Sequence, residues 1–374
     1  MTRDNVARLG AIDRFDADPE RSYTLPARYY HDPDIHAREL DAIFARNWLY
    51  VCHGEAVREP GQYTTFETAG QNIIVVRGKD GSLRAFYNVC QHRGHELLKG
   101  SGRTKVITCP YHAWSYHIDG RLRTARGSEK VAGFDKGEFC LKPVRVEVFC
   151  GFVFINMDDD AATLAEQSEG LEADIRAHVP DLDQLTFARR LTFDMAANWK
   201  IVLDNFLECY HCPIAHPAFD GLVDLGTFGT VTHGIYSTHH SLGGKADNDA
   251  YDAADAENPD HPVWWLWPNT CILRFPGSAN LSVWRMIPTG PETTHEIFDF
   301  FLPDATPDAQ ASASIEYIET VLQAEDIAIV ESVQRGLHSR AYDQGRFIID
   351  PERGAVSEHG THHFQALVRQ HLDG

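Results

Sequence analysis

Two short segments, each carrying a cysteine and a histidine, constrain this chain more than any other feature. They read Cys90-Gln91-His92-Arg93-Gly94 and Cys109-Pro110-Tyr111-His112-Ala113-Trp114, with sixteen residues between His92 and Cys109. Each lies on a turn between short β-type segments. A fold that joins the turns brings two thiolates and two imidazoles into one small volume. Three readings are open. The pairs are unrelated, or they bind zinc, or they hold an iron–sulfur cluster. Zinc accepts two Cys and two His, but its usual loops supply like ligands together. A [2Fe–2S] cluster with two Cys on one iron and two His on the other needs mixed loops, because each loop must reach both irons. Gly94 suits a backbone passing close to such a group, and Pro110 stiffens the second loop.

A second constellation runs from Asn198 to Pro217: Asn198-Trp199-Lys200-Ile201-Val202-Leu203-Asp204-Asn205-Phe206-Leu207-Glu208-Cys209-Tyr210-His211-Cys212-Pro213-Ile214-Ala215-His216-Pro217. Asn198 is a natural N-cap. Trp199, Val202, Leu203 and Phe206 follow helical spacing. Asn205, Glu208 and His211 are three apart and share one side of that helix. Pro213 ends or kinks it, so His216 arrives from the next turn. Two neutral histidines so placed can meet one metal. In Ala309–Gly336, read as one long helix, the apolar stripe is Ile315, Ile318, Leu322, Ile329 and Val333, and Asp326 occupies the missing step. A carboxylate in a buried stripe is costly unless paired or metal-bound. A salt bridge explains it as well as a metal does. With His211 and His216, Asp326 would complete a two-His, one-carboxylate triad of the kind that holds Fe(II) with positions left open for O₂.

Around these constellations the 374 residues read as an α+β chain. Residues 1–46 form an N-terminal helical segment, with a helix over Asp34–Arg46, that packs with the catalytic domain. Residues 47–158 are an all-β module of short strands: Tyr63–Glu67, Asn72–Arg77, Leu83–Val89, Lys105–Thr108, Ala113–Ile118 and Arg145–Ile155. Residues 159–374 are α+β with an antiparallel sheet. Helices are expected over Thr163–His178 and from Asn198, strands over Cys271–Phe275, Leu281–Ile287 and Glu296–Leu302, and a surface loop over Gly243–His261. The charge balance is 34 basic against 54 acidic residues, a net −20. That excess disfavours nucleic acid and anionic membrane surfaces as partners. No apolar run reaches the roughly 20 residues a membrane span needs, and Met1–Gly10 lacks a signal-like apolar core. The expectation is a cytoplasmic protein whose eight cysteines are thiols or metal ligands, with Cys209 and Cys212 as bystanders. No Rossmann fingerprint is present.

Four of the seven tryptophans fall within 21 residues, in Val263-Trp264-Trp265-Leu266-Trp267-Pro268-Asn269 and at Trp284. Phe298 and Phe300 alternate onto one face of the next strand. Ordinary aromatic core explains this cluster as well as a box for a quaternary ammonium held by cation–π attraction. Trp265, Trp284 and Phe298 are the substrate-binding candidates.

The patterns CxHRG, CPYHxW and NWKxxxDNFxExYHxxxxH together resemble the Rieske non-haem iron oxygenase α-subunits over roughly Trp48 to Val368. The resemblance implies an all-β Rieske domain with Cys90, His92, Cys109 and His112 on the [2Fe–2S] cluster, and a catalytic domain with His211, His216 and Asp326 on a mononuclear Fe(II). It implies that Glu208, with Asn205 beside it, is catalytic. Glu208 stands where the family places the acid that links this iron to a Rieske histidine of a neighbouring subunit, a position where many ring-hydroxylating members carry Asp. O₂ is the co-substrate, and NAD(P)H acts through a separate flavin/iron–sulfur reductase. The Trp-Leu-Trp-Pro-Asn stretch, Glu208, and Glu331-Ser-Val-Gln-Arg-Gly336-Leu through Gly345-Arg-Phe resemble the branch acting on quaternary ammonium compounds. For that branch a homotrimer is expected that hydroxylates and N-demethylates a stachydrine- or glycine betaine-like substrate, releasing formaldehyde. Ring dioxygenation and carnitine-type C–N cleavage are the alternatives.

Overall fold

The computed structural model describes residues 13–245, 248–253 and 256–373, so Met1–Gly10 lies outside it. The chain divides into two compact units, Phe44–Glu166 and Met1–Ile43 with Gln167–Gly374. The second division falls eight residues beyond the expected 158, at 166. The reason is that the polar break folds back on its own β unit. Trp48 Nε1 donates to Ala162 O (3.0 Å) and Leu164 N to Glu147 Oε2 (2.9 Å).

Phe44–Glu166 is built from ten strands: β1 (Leu49–His53), β2 (Gln62–Thr68), β3 (Gln71–Arg77), β4 (Leu83–Tyr87), β5 (Ser101–Arg103), β6 (Ile107–Thr108), β7 (Ser115–Tyr116), β8 (Leu122–Thr124), β9 (Pro143–Phe149) and β10 (Phe152–Asn156). One sheet runs β1-β10-β9-β4-β3-β2-β5, and β6, β7 and β8 form a smaller one. Ile73–Val76 of β3 are buried on both faces, which is why this strand is a continuous β-branched run rather than an alternating one. The segment expected as one strand over Arg145–Ile155 is a hairpin. Cys150 (φ 53°) and Gly151 (φ 81°) make its two-residue turn, and left-handed angles at both positions match the twist of the flanking strands. Beneath the two Cys/His turns lies a core that includes Ile74, Phe86, Ile107, Trp114 and Tyr116.

The second unit carries seven antiparallel strands: β11 (Thr186–Met195), β12 (Gly229–Thr232), β13 (Tyr236–His240), β14 (Val263–Leu266), β15 (Thr270–Leu273), β16 (Leu281–Gly290) and β17 (Thr293–Leu302). Their order is β11-β17-β16-β15-β14-β13-β12. The helices are α1 (Pro33–Glu39), α2 (Leu171–His178), α3 (Trp199–Phe206), α4 (Cys212–Ala215), α5 (Pro217–Leu222), α6 (Ala309–Tyr317), α7 (Gln323–Leu337) and α8 (His359–Asp373). The expected helix over Thr163–His178 is broken at Gly170, whose φ of 90° no helix interior accepts. The expected long helix over Ala309–Gly336 is broken by a π-helical turn, Ile318–Leu322. No described helix is long and apolar enough to cross a membrane.

Two buried groups tie α1 to α3. Glu39 accepts from Trp199 Nε1 (2.9 Å) and Lys200 Nζ (2.6 Å), and both charged side chains are fully buried. As expected, Asn198 caps α3, its side chain accepting from Lys200 N (2.9 Å). The N-cap and the buried ion pair fix the helix that leads into Glu208 and His211.

Candidate active site

The two Cys/His segments fold as matching turns. Gly94 N and Ala113 N donate to the carbonyls of Cys90 and Cys109, both at 3.0 Å. Cys90 N and Cys109 N donate to the carbonyls of His95 and Trp114, both at 2.8 Å. Gly94 (φ 70°) and Ala113 (φ 59°) take the same left-handed angle at equivalent positions. That angle is ordinary for glycine and costs an alanine about 1 kcal/mol. The thiols are buried, and the His92 and His112 rings lie toward solvent with centroids 4.8 Å apart. Trp114 stacks on His92 at 4.7 Å. Tyr116 Oη sits 3.3 Å from Cys90 Sγ and accepts from Gln91 N. Sulfur at the buried end and imidazole at the exposed end is a donor set for a cluster with chemically distinct irons.

In the other unit, α3 ends at Phe206 and the chain turns through Glu208 into α4. His211 sits at the N-cap of α4, and His216 links α4 to α5. One ligating atom each from His211, His216 and Asp326 lies within 4.8 Å of the others. His216 Nε2 is 3.0 Å from Asp326 Oδ1, and His211 Nε2 is 3.9 Å from the same oxygen. Each imidazole is held from behind by a carboxylate: His211 Nδ1 by Glu208 Oε1 at 2.5 Å, and His216 Nδ1 by Glu325 Oε2 at 2.7 Å. With both Nδ1–H groups donating to carboxylates, both Nε2 lone pairs converge on Asp326. Burial opposes charge on His216, but Asp326 and Glu325 outweigh it and raise its pKa. Asn205 Nδ2 lies 3.3 Å from His211 Nε2. The donor set fits Fe(II): two neutral imidazoles and one carboxylate, with carboxylates behind the imidazoles. Glu325 was not anticipated; its position directly before Asp326 was the available signal.

A cavity opens at this triad. Phe206, Phe219, Phe228, Val263, Leu273, Phe275, Trp284 and Leu322 form its apolar walls. Asn205, Glu208, Cys209, His211, Cys212, His216, His239, His261 and Asp326 complete it, so no Lys or Arg lines it among the described residues. Of the three aromatic candidates, Trp284 lines the cavity. Phe298 stands behind it, stacked at 3.8 Å. Trp265 is elsewhere: it packs edge-on against Trp267, His363 and Phe364 and donates to Pro268 O. Position along the sheet explains both corrections. Trp265 shares the face of Val263 but lies further along β14, covered by His363 and Phe364 of α8, and Phe298 is the β17 partner of Trp284, one strand further from the cavity. Alternation removes only Trp264, which faces α2, where its Nε1 meets Asp174. His261, at the end of the expected surface loop, is buried in the cavity wall. Cys209 and Cys212, read as thiols, are joined as a disulfide; their Cα atoms, three residues apart across the α4 turn, are 4.9 Å apart, within the range such a bond spans.

Residues 47–135 match the Rieske [2Fe-2S] domain, and residues 182–374 match the catalytic domain of ring hydroxylating alpha subunits. The chain is 40% identical to the carnitine monooxygenase oxygenase subunit of Acinetobacter pittii over 96% of its own length and 97% of that protein's. It is 31% identical to the chloroplastic choline monooxygenase of Arabidopsis thaliana, over 94% of this chain and 84% of that one. A crystal structure of the quaternary ammonium Rieske monooxygenase CntA in complex with L-carnitine superposes with a TM-score of 0.87, at 39% identity, over 96% and 98% of the two chains.

Proposed function

Because the chain belongs to the ring-hydroxylating α-subunit family of Rieske non-haem iron oxygenases, an oxidoreductase family with one Rieske cluster and one mononuclear iron per chain, we propose that it hydroxylates a carbon bonded to a quaternary nitrogen. The observation that carries this reading is the cavity. Aromatic walls meet Glu208 and Asp326, with no Lys or Arg among the described lining residues. A cation bearing methyl groups fits such a site, through cation–π attraction to the aromatic walls and with no Lys or Arg to repel it.

Cys90, His92, Cys109 and His112 would hold the cluster, and His211, His216 and Asp326 the iron. When bound, these groups supply single electrons and activation of O₂. The chain's own residues do the rest. Glu208 and Glu325 keep each Nδ1 protonated and each Nε2 free. Phe206, Phe275 and Trp284 exclude water from the reacting carbon. The balance is R₃N⁺–CH₂R′ + O₂ + 2e⁻ + 2H⁺ → R₃N⁺–CH(OH)R′ + H₂O. The product then breaks its C–N bond to give R₃N, O=CHR′ and H⁺. Cleavage of the longer chain, as in the carnitine enzymes, is supported by the 40% identity. Attack on an N-methyl group, with R′ as hydrogen, would release formaldehyde from a stachydrine- or betaine-like substrate.

Electrons would come from NAD(P)H through a separate reductase, and Glu208 would pass them from a neighbouring subunit in a homotrimer. Tyr210 (50% exposed) and Ile214 (89% exposed) flank His211, and apolar exposure beside a buried site favours a protein neighbour there. The test is oxygen uptake by iron-loaded protein with a surrogate reductase and a panel of carnitine, choline, glycine betaine, stachydrine and naphthalene. Products are scored as trimethylamine, formaldehyde or diol. Turnover of the arene alone overturns the proposal.

A further inference from the structure

Four histidines line the cavity, and their nitrogens are accounted for differently. His211 and His216 present Nε2 to Asp326. His239 is satisfied at both nitrogens, with Ser237 Oγ 2.8 Å from Nε2 and Thr230 Oγ1 3.4 Å from Nδ1. His261 is the exception. Its Nδ1 lies 2.7 Å from the carbonyl oxygen of Arg274. A carbonyl can only accept, so Nδ1 carries the hydrogen. Burial pulls the pKa of this ring down to about 4, so it is neutral at pH 7. Nε2 is therefore a lone pair with its direction fixed, and it has no hydrogen-bond partner among the described residues.

The ring cannot readily turn away from this task. Phe219 packs edge-on at 5.4 Å and Phe275 tilted at 4.8 Å, and His261 is only 6% exposed. The backbone is pinned too, since Ser241 and His261 exchange both backbone hydrogen bonds, at 3.1 and 2.9 Å. Nε2 belongs to the cavity lining and takes no donor from the described protein, so an occupant that displaces solvent there is expected to supply an N–H or O–H in its place. A quaternary nitrogen has no N–H. A carboxylate has no hydrogen to give at pH 7 and would be repelled by the lone pair. Of the groups such a substrate carries, a hydroxyl is the remaining donor.

We propose that His261 Nε2 accepts a hydrogen bond from a hydroxyl group of the substrate, so that this residue selects hydroxyl-bearing quaternary ammonium compounds over their deoxy analogues. The proposal rests on the quaternary-ammonium reading and narrows it.

The test uses two ligand pairs that differ only by a hydroxyl: L-carnitine against γ-butyrobetaine, and choline against ethyltrimethylammonium. Dissociation constants are measured by calorimetry on the full-length, iron-loaded, oxidised protein. In whichever pair binds, the hydroxylated member should bind at least about tenfold tighter, or 1.4 kcal/mol. His261→Phe should bring that ratio to within about twofold of unity and change the affinity for the deoxy member by less than about threefold. His261→Gln, which keeps an acceptor, should restore part of the ratio. A wild-type ratio near unity overturns the proposal without needing a variant to fold, and so does a ratio that survives in His261→Phe. If wild-type protein binds none of the four, the quaternary-ammonium reading itself has failed. Equal binding of both members leaves that reading standing and removes the hydroxyl from it.

Discussion

Glu208→Gln tests the architecture of the site and the route of the electrons together. The Glu208 carboxylate accepts on both oxygens. Oε1 takes the His211 Nδ1–H at 2.5 Å, and Oε2 takes the backbone N–H of Tyr210 and that of His211 (3.2 Å). Glutamine keeps only one acceptor oxygen. In either amide orientation an NH₂ faces an N–H, so the variant loses the bond that aligns His211 or the bonds that shape the loop. A charged hydrogen bond contributes about 1.5–3 kcal/mol, and losing the partner behind a metal-bound histidine lowers metal affinity about 10–100-fold. The variant should therefore bind Fe(II) more weakly but still fill the site at excess iron, because His211, His216 and Asp326 remain. Its cluster, in the other unit, should keep its absorbance and be reduced at the normal rate.

The decisive measurement is turnover at saturating iron. If Glu208 passes electrons between subunits, the filled variant performs little or no multiple turnover. If it only orients His211, the filled variant recovers. Iron titration by chelator assay, stopped-flow reduction of the cluster and steady-state oxygen uptake separate the cases. Near-normal turnover at full iron refutes the electron route. A site that stays empty at thousandfold excess iron makes Glu208 a ligand and reopens the assignment of Asp326.

Glu325→Gln keeps one acceptor for His216 Nδ1 but removes the charge. It should weaken Fe(II) binding about tenfold and, unlike Glu208→Gln, recover turnover once the iron is restored; failure to recover assigns Glu325 more than orientation. Lys200→Met leaves Glu39 buried with the Trp199 N–H and, 4.0 Å away, His36 Nδ1, which should cost about 3–5 kcal/mol. The catalytic unit should unfold roughly 6–20 °C lower in a thermal scan, and adding Glu39→Gln should recover most of the loss. Burial raises Asp204 and Glu358 to about 7 each, above their unfolded values of about 4. Each then holds a proton in the folded state that it releases on unfolding. Their contribution is full below about pH 4 and is lost as pH rises through 7. Wild-type protein should melt lower at pH 8.5 than at pH 5.5, and Asp204→Asn with Glu358→Gln should narrow the difference; an unchanged difference assigns it to other groups.

How far the site can be read from sequence depends on how local each part is. Both Cys/His turns and the run from Asn198 to His216 are contiguous. Helical spacing, an N-cap and Pro213 were enough to bring Glu208, His211 and His216 together. Asp326 arrives from over a hundred residues away, and the apolar stripe that points to it runs out of register at the π-turn. The expected stripe continued through Ile329 and Val333, which puts Asp326 in a buried row. The π-helical turn at Ile318–Leu322 inserts a residue, and beyond it the buried side of α7 is Val330, Gln334 and Leu337, while Val333 is 44% exposed. One inserted residue rotates the following helix by about 100°. Asp326 is therefore not a stranded carboxylate in an apolar row. It is a partly exposed cavity residue, and the same rotation leaves its neighbour Glu325 positioned to meet His216 Nδ1. The substrate wall was harder for a related reason. Phe219, Phe228, His239, His261 and Phe275 come from five separate elements or loops, and none carries a local pattern that marks it. The visible tryptophan run belongs to the core: Trp264 faces away from the cavity by strand alternation, and Trp265, on the same face as Val263, is covered by His363 and Phe364 of α8. Clustering along the chain therefore marked His211 and His216, which share a turn. It could not mark the cavity, whose residues share only the space that β13, β15 and α5 enclose.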